Sequence, residues 1–359
     1  MTGKSDGMNY APQGKPNRVC QKGDFVVAAA GLDHGHIFGM SNGLVEAGAD
    51  IKWVYDPDPV KVDRFLERFP EAKRATSLAQ VLEDPEVQLV ASANIPSERA
   101  ELGIQVMEHG KDYFVDKAPL TTLHQLQRVK ETTVRTGQKY NVYYSERLHV
   151  ESAVFAGQLI ADGAIGRVLQ VLGTGPHRIN APSRPEWFFE RSRYGGILCD
   201  IGSHQIEQFL FFAGAKDAEV VHSKIANYSH KEYPNFEDFG DATLVADNGA
   251  TNYFRVDWFT PDGLGTWGDG RTFILGTKGF IELRKYIDIG RDEVGDHVYL
   301  ANQEGEYHIP VKGKVGYPFF GEMILDCLNR TDRAMTQEHA LKAAELSVKA
   351  QMQAAVVES

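Results

Sequence analysis

A strand, a glycine turn, a helix and a second strand follow one another between Phe25 and Asp56, and that succession dictates the architecture of the first third of the chain. Residues 25–30 (Phe-Val-Val-Ala-Ala-Ala) are apolar without alternation, as a strand buried on both faces of a parallel sheet must be. They run into Gly31-Leu32-Asp33-His34-Gly35-His36, a helix is expected to follow as far as residue 47, and a strand over 51–55 closes on Asp56. The same grammar continues, with helices expected over 60–69, 98–109 and 123–136 and strands over 87–92, 111–115 and 140–144. Strands alternating with helices make βαβ units and a parallel sheet, here an α/β domain over residues 23–145.

A dinucleotide's pyrophosphate needs close backbone approach and amides at a helix N-terminus, and an acidic residue closing the next strand can hold both ribose hydroxyls. Gly31 and Asp56 stand in those places. Of the G-x-G-x-x-G pattern only Gly31 is kept; Asp33 and His36 take the other two positions and Gly35 is out of step, so an ordinary βα turn is the competing reading. His34 and His36 invite a metal reading, but two histidines alone do not make a site and no metal is expected. The second chemical motif is Asp116-Lys117-Ala118-Pro119, a lysine at the carboxyl end of a parallel strand, where ligands bind in such sheets.

At 359 residues the chain exceeds one core, and its formal charge of -11 argues against a nucleic-acid partner. Cys20, Cys199 and Cys327 are odd in number and scattered, which suits a reducing compartment without disulfides. No apolar run reaches the length of a membrane span, and residues 1–22 are polar, lacking a signal-peptide core. The expectation is a cytoplasmic protein with a flexible N-terminal tail over 1–22.

After Arg147 the grammar changes. A helix over 150–162 and a strand over 167–173 lead through a loop rich in proline and arginine to Tyr194-Gly195-Gly196-Ile197-Leu198-Cys199-Asp200-Ile201-Gly202-Ser203-His204. If residues 197–212 are helical, Leu198, Ile201, Gln205, Phe209 and Phe212 share one side, and Asp200, Ser203, His204 and Glu207 the other. Asp200 and His204, at i and i+4, then project a carboxylate and an imidazole together; a solvated helix face is the plainer alternative. Strands over 220–228, 242–246, 251–259, 272–275, 279–283 and 297–301, punctuated by Gly-Asn, Asp-Gly and Lys-Gly pairs, suit an open, mostly antiparallel sheet, and helices over 320–329 and 339–356 close an α+β domain covering 146–359.

Taken together these residues resemble the glucose–fructose oxidoreductase / inositol dehydrogenase / rhizopine catabolism family of NAD(P)-dependent oxidoreductases. Asp116-Lys117-Ala118-Pro119 is similar to that family's Glu-Lys-Pro segment, with Asp for Glu and an alanine before the proline. Ala93-Asn94-Ile95-Pro96 resembles the loop that passes the nicotinamide ribose, with Arg99 where a histidine is common. Trp187, Gly195-Gly196, Asp200, Gly202 and His204 match a W…GG…D-x-G-x-H signature, and residues 275–279 are like a later strand turn.

The resemblance implies an N-terminal Rossmann domain that holds NAD through Gly31, Asp33, His34, Gly35, His36, Asp56, Ala93, Asn94, Pro96 and Lys117. Asp56, followed by Pro57-Asp58 with no arginine for a 2′-phosphate, favours NAD over NADP. The implied reaction moves a hydride between the nicotinamide and a secondary alcohol of a sugar or polyol. His204 is the candidate base, Lys117 the cation at the reacting oxygen, and Asp200 grips a neighbouring hydroxyl or orients the imidazole. His177, Arg178, Trp187 and Tyr194 join Lys117, Asp200 and His204 as substrate-binding candidates: aromatic rings to stack on a sugar, and arginines (Arg178, Arg184) to bind an acidic one, unless those arginines pair with the protein's own groups. An NAD-dependent glycosidase using transient ring oxidation, or a non-catalytic NAD-binding regulator, are the alternatives. The strand over 251–259 sets Tyr253, Arg255, Asp257 and Phe259 on one side and Phe254, Val256 and Trp258 on the other, and the first side has the composition of an interface. A homodimer or homotetramer through this C-terminal sheet is expected.

Overall fold

The computed structural model describes residues 5–358, in two units. The first comprises Met8–Tyr143 with Tyr317–Leu341, and the second Tyr144–Gly316 with residues from both ends of the chain.

The first unit is a parallel sheet with helices between its strands. In chain order it contains β1 (Val26–Ala30), α1 (His36–Ala47), β2 (Asp50–Tyr55), α2 (Pro59–Arg68), β3 (Lys73–Arg74), α3 (Leu78–Glu83), β4 (Leu89–Ser92), α4 (Arg99–Glu108), β5 (Asp112–Asp116), α5 (Leu123–Thr136) and β6 (Tyr140–Tyr143). The strand order β3-β2-β1-β4-β5-β6 is doubly wound, with the reversal between β1 and β4. Every residue of β4 and β5 is buried, including the aspartates at the two ends of β5, Asp112 and Asp116. Local chemistry sets the helix ends. Asp58, Ser77 and Thr122 cap α2, α3 and α5 through their side chains, and Gly48 and Gly137 end α1 and α5 in the left-handed region.

Two segments expected elsewhere belong to this unit. Residues 8–22 of the N-terminal tail are not loose: they include a stretch along α1, where Asn42 donates to the carbonyls of Ala11 and Pro12 and Glu46 accepts from the Gly14 amide. Residues 1–4 of that tail lie outside the described residues. Near the other end, α11 (Pro318–Asn329) packs on α1, although the sequence placed it in the second domain. The chemistry of the contact is plain, since Phe320 sits among Phe114, Tyr143 and Phe319, with its ring filling the space over Gly43.

The second unit holds α6 (Ser145–Leu148), α7 (Glu151–Ala161), β7 (Val168–Pro176), α8 (Arg191–Tyr194), α9 (Ile197–Asp200), α10 (Gly202–Ala213), β8 (Ala218–Ala226), β9 (Phe239–Ala246), β10 (Thr251–Asp257), β11 (Arg271–Gly276), β12 (Gly279–Arg284), β13 (His297–Asn302) and β14 (Gly305–Pro310); after α12 (Gln337–Gln353), β15 (Ala355–Val357) completes it. Nine strands form one sheet, β14-β13-β12-β11-β7-β10-β9-β8-β15, antiparallel except for the β7–β10 and β8–β15 pairs. As expected, Phe254, Val256 and Trp258 turn inward. α9 and α10 form a nearly continuous helix on this inner face, tightened at Ile201, whose carbonyl accepts from the His204 amide. Gly173 and Gly175 of β7 admit it: a Cβ on Gly173 would lie 2.2 Å from the Gln205 amide oxygen, and one on Gly175 would lie 3.1 Å from Ile201.

In a helix interior Ala is normally preferred to Gly by about 1 kcal/mol. Gly43→Ala is nevertheless expected to destabilise the protein, by about 1–3 kcal/mol, because the new methyl would lie 2.4 Å from a Phe320 ring held by three other aromatic rings. A urea midpoint equal to or above that of the wild type would show that α11 is not seated on α1.

Candidate active site and cofactor-binding residues

The nucleotide side of the first unit is built at the carboxyl ends of β1, β2 and β4. Gly31 has a φ of +76°, and a Cβ there would lie 2.6 Å from Cβ of Asn94, so only glycine fits the turn. Ala93 closes that turn through two backbone bonds, donating to the Gly31 carbonyl and accepting from the His34 amide. The Asp56 carboxylate is held rigid by the amides of Leu32 (2.7 Å) and Asp58 (2.9 Å). A cleft of about 300 Å³ opens beside it, lined by Gly31, Tyr55, Asp56, Leu78, Asn94 and Leu102. A fixed carboxylate beside Tyr55, Leu78 and Leu102, with Glu98 and Glu101 at the same cleft, fits the adenosine half of a dinucleotide, with Asp56 as acceptor for ribose hydroxyls. Lys61, a residue no sequence motif singles out, bridges Asp33 (2.7 Å) and Asp56 (3.6 Å). Asp33 is thus an anchor for Lys61. At Gly35 a Cβ would lie 2.3 Å from the Met8 carbonyl, so that position is bare to admit the N-terminal segment.

At the end of β5 the carboxylate of Asp116 gathers donors from three parts of the unit. His36 Nδ1 lies 2.8 Å from its Oδ1, and the Lys117 amide donates to the same oxygen at 2.9 Å. Arg99, fully buried at the start of α4, donates to Oδ2 (3.1 Å) and to the carbonyls of Asn94, Asp116, Lys117 and Ala118. Burial alone would raise the Asp116 carboxyl; His36 and Arg99 override it and hold the group well below the usual carboxylate range. Burial and the neighbouring His36 push His34 well down, so its imidazole is neutral. Its Nδ1 accepts the His36 amide, and its 3.5 Å approach to Asp116 is therefore not an ion pair. The fold thus brings the Asp116 carboxylate to the two histidines, and possible ligand atoms of His34, His36 and Asp116 lie within 4.8 Å of one another. Arg99, His36 and the Lys117 amide together hold the carboxylate in a hydrogen-bonded hub. Pro96 begins the turn before Arg99, and Lys117 is buried, its backbone held on both sides by the hub.

In the second unit the helix expected to carry chemistry has no solvated face. Asp200 (9% exposed), Ser203, His204 (2%) and Glu207 are as buried as Leu198 and Phe209 on its other side. Glu207 accepts from Arg147 Nε at 2.7 Å. The space over Gly196 is filled by Gln351, which caps the Leu198 amide, while Glu237 caps that of Ile197. The paired glycines therefore serve a packed helix start. Burial pushes the Cys199 thiol up, as for an inert packing residue.

The loop expected to read the substrate is mostly spoken for. Arg178 donates to the carbonyls of Ser5, Pro261 and Leu264, and Arg184 to those of Ile179 and Arg178 while lying over the Phe188 ring. An anion-binding fork is not what these guanidiniums form. Tyr194 is 1% exposed, stacked on Phe188, and its hydroxyl accepts the Glu237 amide; Trp187 packs edge-on to Phe188. Both rings pack in the core of the unit. His177 keeps a polar role, its Nδ1 donating to the Gly175 carbonyl and its ring packed against Trp267. Sequence reasoning missed Glu146 and Lys285, buried partners 3.3 Å apart; charged residues directly after a parallel strand were the available signal for Glu146.

Family comparisons agree with this division. Residues 30–144 match the profile described as "Oxidoreductase family, NAD-binding Rossmann fold", and residues 154–282 match the "GFO/IDH/MocA C-terminal domain". The chain belongs to the GFO/IDH/MocA family of oxidoreductases, and its first unit is an NAD-binding Rossmann domain. A crystal structure from Erwinia carotovora atroseptica SCRI1043 is 50% identical and covers 93% of this chain and 100% of its own, with a TM-score of 0.91. A D-xylose dehydrogenase of Paenarthrobacter nicotinovorans is 26% identical over 149 residues, 40% of this chain and 38% of that protein. The scyllo-inositol 2-dehydrogenase (NAD(+)) of Bacillus subtilis (strain 168) is 27% identical over 240 residues, 65% of this chain and 66% of that one. Both alignments span less than two thirds of the relative. Among the described residues no helix is long and apolar enough to cross a membrane.

Removing one partner of a buried ion pair leaves an uncompensated charge, at about 3–5 kcal/mol. Arg99→Met should lose that much unfolding free energy, and adding Asp116→Asn should restore part of it. Equal losses in the single and double variants would take Arg99 out of the hub.

Proposed function

We propose that the protein is an NAD-dependent dehydrogenase acting on a secondary alcohol of a sugar or polyol. The observation that carries this reading is the family match over both halves of the chain, with Lys117, Asp200 and His204 all present and all buried. Ionisable side chains are seldom buried without a task, and a regulator that only senses NAD has no need of these three. Relatives named for D-xylose and scyllo-inositol point to the substrate class.

In this reading Asp56 holds the adenosine ribose and the backbone at Gly31 lies along the pyrophosphate. Bound NAD supplies the hydride acceptor. His204 takes the proton of the substrate hydroxyl, since imidazoles exchange protons near neutral pH. Lys117 meets the developing alkoxide with its ammonium, and its hub-fixed backbone keeps that charge from wandering. Asp200 accepts a hydrogen bond from a neighbouring hydroxyl. With NAD and a panel containing scyllo-inositol and D-xylose, net NADH is the expected product; aglycone released from glycosides without NADH would replace the dehydrogenase with a glycosidase. Lys117→Ala and His204→Ala should each lower kcat by orders of magnitude while leaving the Kd for NAD within a few-fold. Near-wild-type turnover in either would remove that residue from its role.

The second unit's outer sheet face supports a self-association. Tyr253, Leu172 and Phe273 stand side by side across three strands, with Leu275 and Phe280 in the next row, and all five are exposed. A row of exposed aromatic and aliphatic side chains on a flat sheet is typical of an interface core. The reading is a homodimer, or a tetramer of such dimers, through this face. Light scattering at micromolar concentration should report a dimer or larger for the wild type and a monomer for Phe273→Glu/Phe280→Glu; unchanged assembly in the variant would move the interface elsewhere.

A further inference from the structure

The second unit contains a buried charge that the roles above do not use. Glu146, 2% exposed, sits on α6 directly after β6. Its Oε2 is doubly held, by Gln205 Nε2 at 3.1 Å and by the fully buried Lys285 ammonium at 3.3 Å. Lys285 is itself pinned by Gln208 Oε1 at 2.6 Å. Burial would raise the Glu146 carboxyl, but Lys285, with His204 and His177, overrides it and holds it at about 2, so the group is a carboxylate. Its other oxygen, Oε1, is buried and receives no hydrogen bond from any described residue; the nearest ring nitrogen, His177 Nε2, is 3.9 Å away. Leaving a buried carboxylate oxygen unmatched is costly, and such a group is retained where a ligand completes it. Gln205, which holds the neighbouring oxygen, follows the candidate base His204 on α10, so the open oxygen belongs to the same neighbourhood as the proposed chemistry.

We propose that Glu146 Oε1 is a substrate-anchoring acceptor, and that the substrate is a neutral polyhydroxylated sugar or polyol which donates one hydroxyl to it, not an acidic sugar. This rests on the dehydrogenase reading above. A carboxylate ligand would meet like charge at Glu146, and the arginines that could have offset it are bonded to backbone carbonyls. Lys285 and Gln205 act as positioning residues that fix which oxygen faces the ligand.

Glu146→Gln tests the assignment with little change of shape. Two donors, Gln205 and Lys285, demand the amide oxygen at the Oε2 position, so the amide nitrogen takes the place of Oε1 and turns an acceptor into a donor. The measurement is kcat/KM with NAD for scyllo-inositol, D-xylose and their single-deoxy analogues. In the wild type one deoxy analogue should fall about ten- to a hundredfold below its parent, the range for a hydrogen bond to a charged group. In Glu146→Gln that gap should close to within a few-fold, with the loss now on the parent. Glu146→Gln/Lys285→Met, which leaves no unpaired buried ammonium, should behave likewise and guards against a folding defect in the single variant. D-glucuronate should be used less well than D-xylose by the wild type. Equal deoxy gaps in wild type and variants, as a bridging water at Oε1 would produce, or a preference for D-glucuronate, overturn the proposal. Failure of every parent compound to yield NADH in the wild type would instead defeat the dehydrogenase reading itself.

Discussion

The bond between Asp116 and Arg99 sets the geometry of the first unit's ligand end. Five oxygens converge on one guanidinium: one of the Asp116 carboxylate and four backbone carbonyls from the loop after β4 and the segment after β5. None could be left facing an apolar interior without large cost, and one planar, permanently charged group satisfies all of them. The other carboxylate oxygen reaches His36, so the first turn of α1 joins the same network. Lys117 thereby inherits its place from a hub assembled across three crossovers of the sheet.

The second unit solves a related problem differently. Its candidate catalytic helix lies on a sheet whose facing strand carries glycines, so polar side chains are pressed into an interior and must be matched there. Glu207 finds Arg147, Glu146 finds Lys285 and Gln205, and Gln208 joins Lys285 to the helix through the His204 carbonyl. Such a layer contributes little net stability, because desolvation offsets most of the attraction. It supplies fixed orientation instead, the property a site for a polyhydroxylated ligand needs.

Features encoded by local periodicity were legible in the chain: the buried strand before Gly31, the acid closing β2, the lysine after β5, the i and i+4 pair on α9–α10. Features that depend on backbone acceptors were not. Arg178 and Arg184 look like an anion fork in a string of letters, because the carbonyls that bind them have no letter of their own. Arg99 stands out in the sequence only as a departure from a histidine, and its role requires the pairing of β4 with β5 that brings residues 94 and 116–118 around it. Trp187 and Tyr194 read as a sugar platform because composition does not distinguish a ring that faces a ligand from one that packs on Phe188. The strand β14 has no signature in the sequence, since its residues are mostly exposed and show no apolar alternation.

The return of residues 317–341 to the first unit has a consequence for biosynthesis. The aromatic seat of α1 is completed by Phe320, which leaves the ribosome only after the whole of the intervening unit has been made. That unit in turn receives Gln351 of α12, which fills the space over Gly196 and caps the Leu198 amide, later still. Each unit therefore holds an unfinished core while much of the other is being made. A chain ordered in this way does not fold domain by domain as it emerges, and keeps apolar surface uncovered for longer.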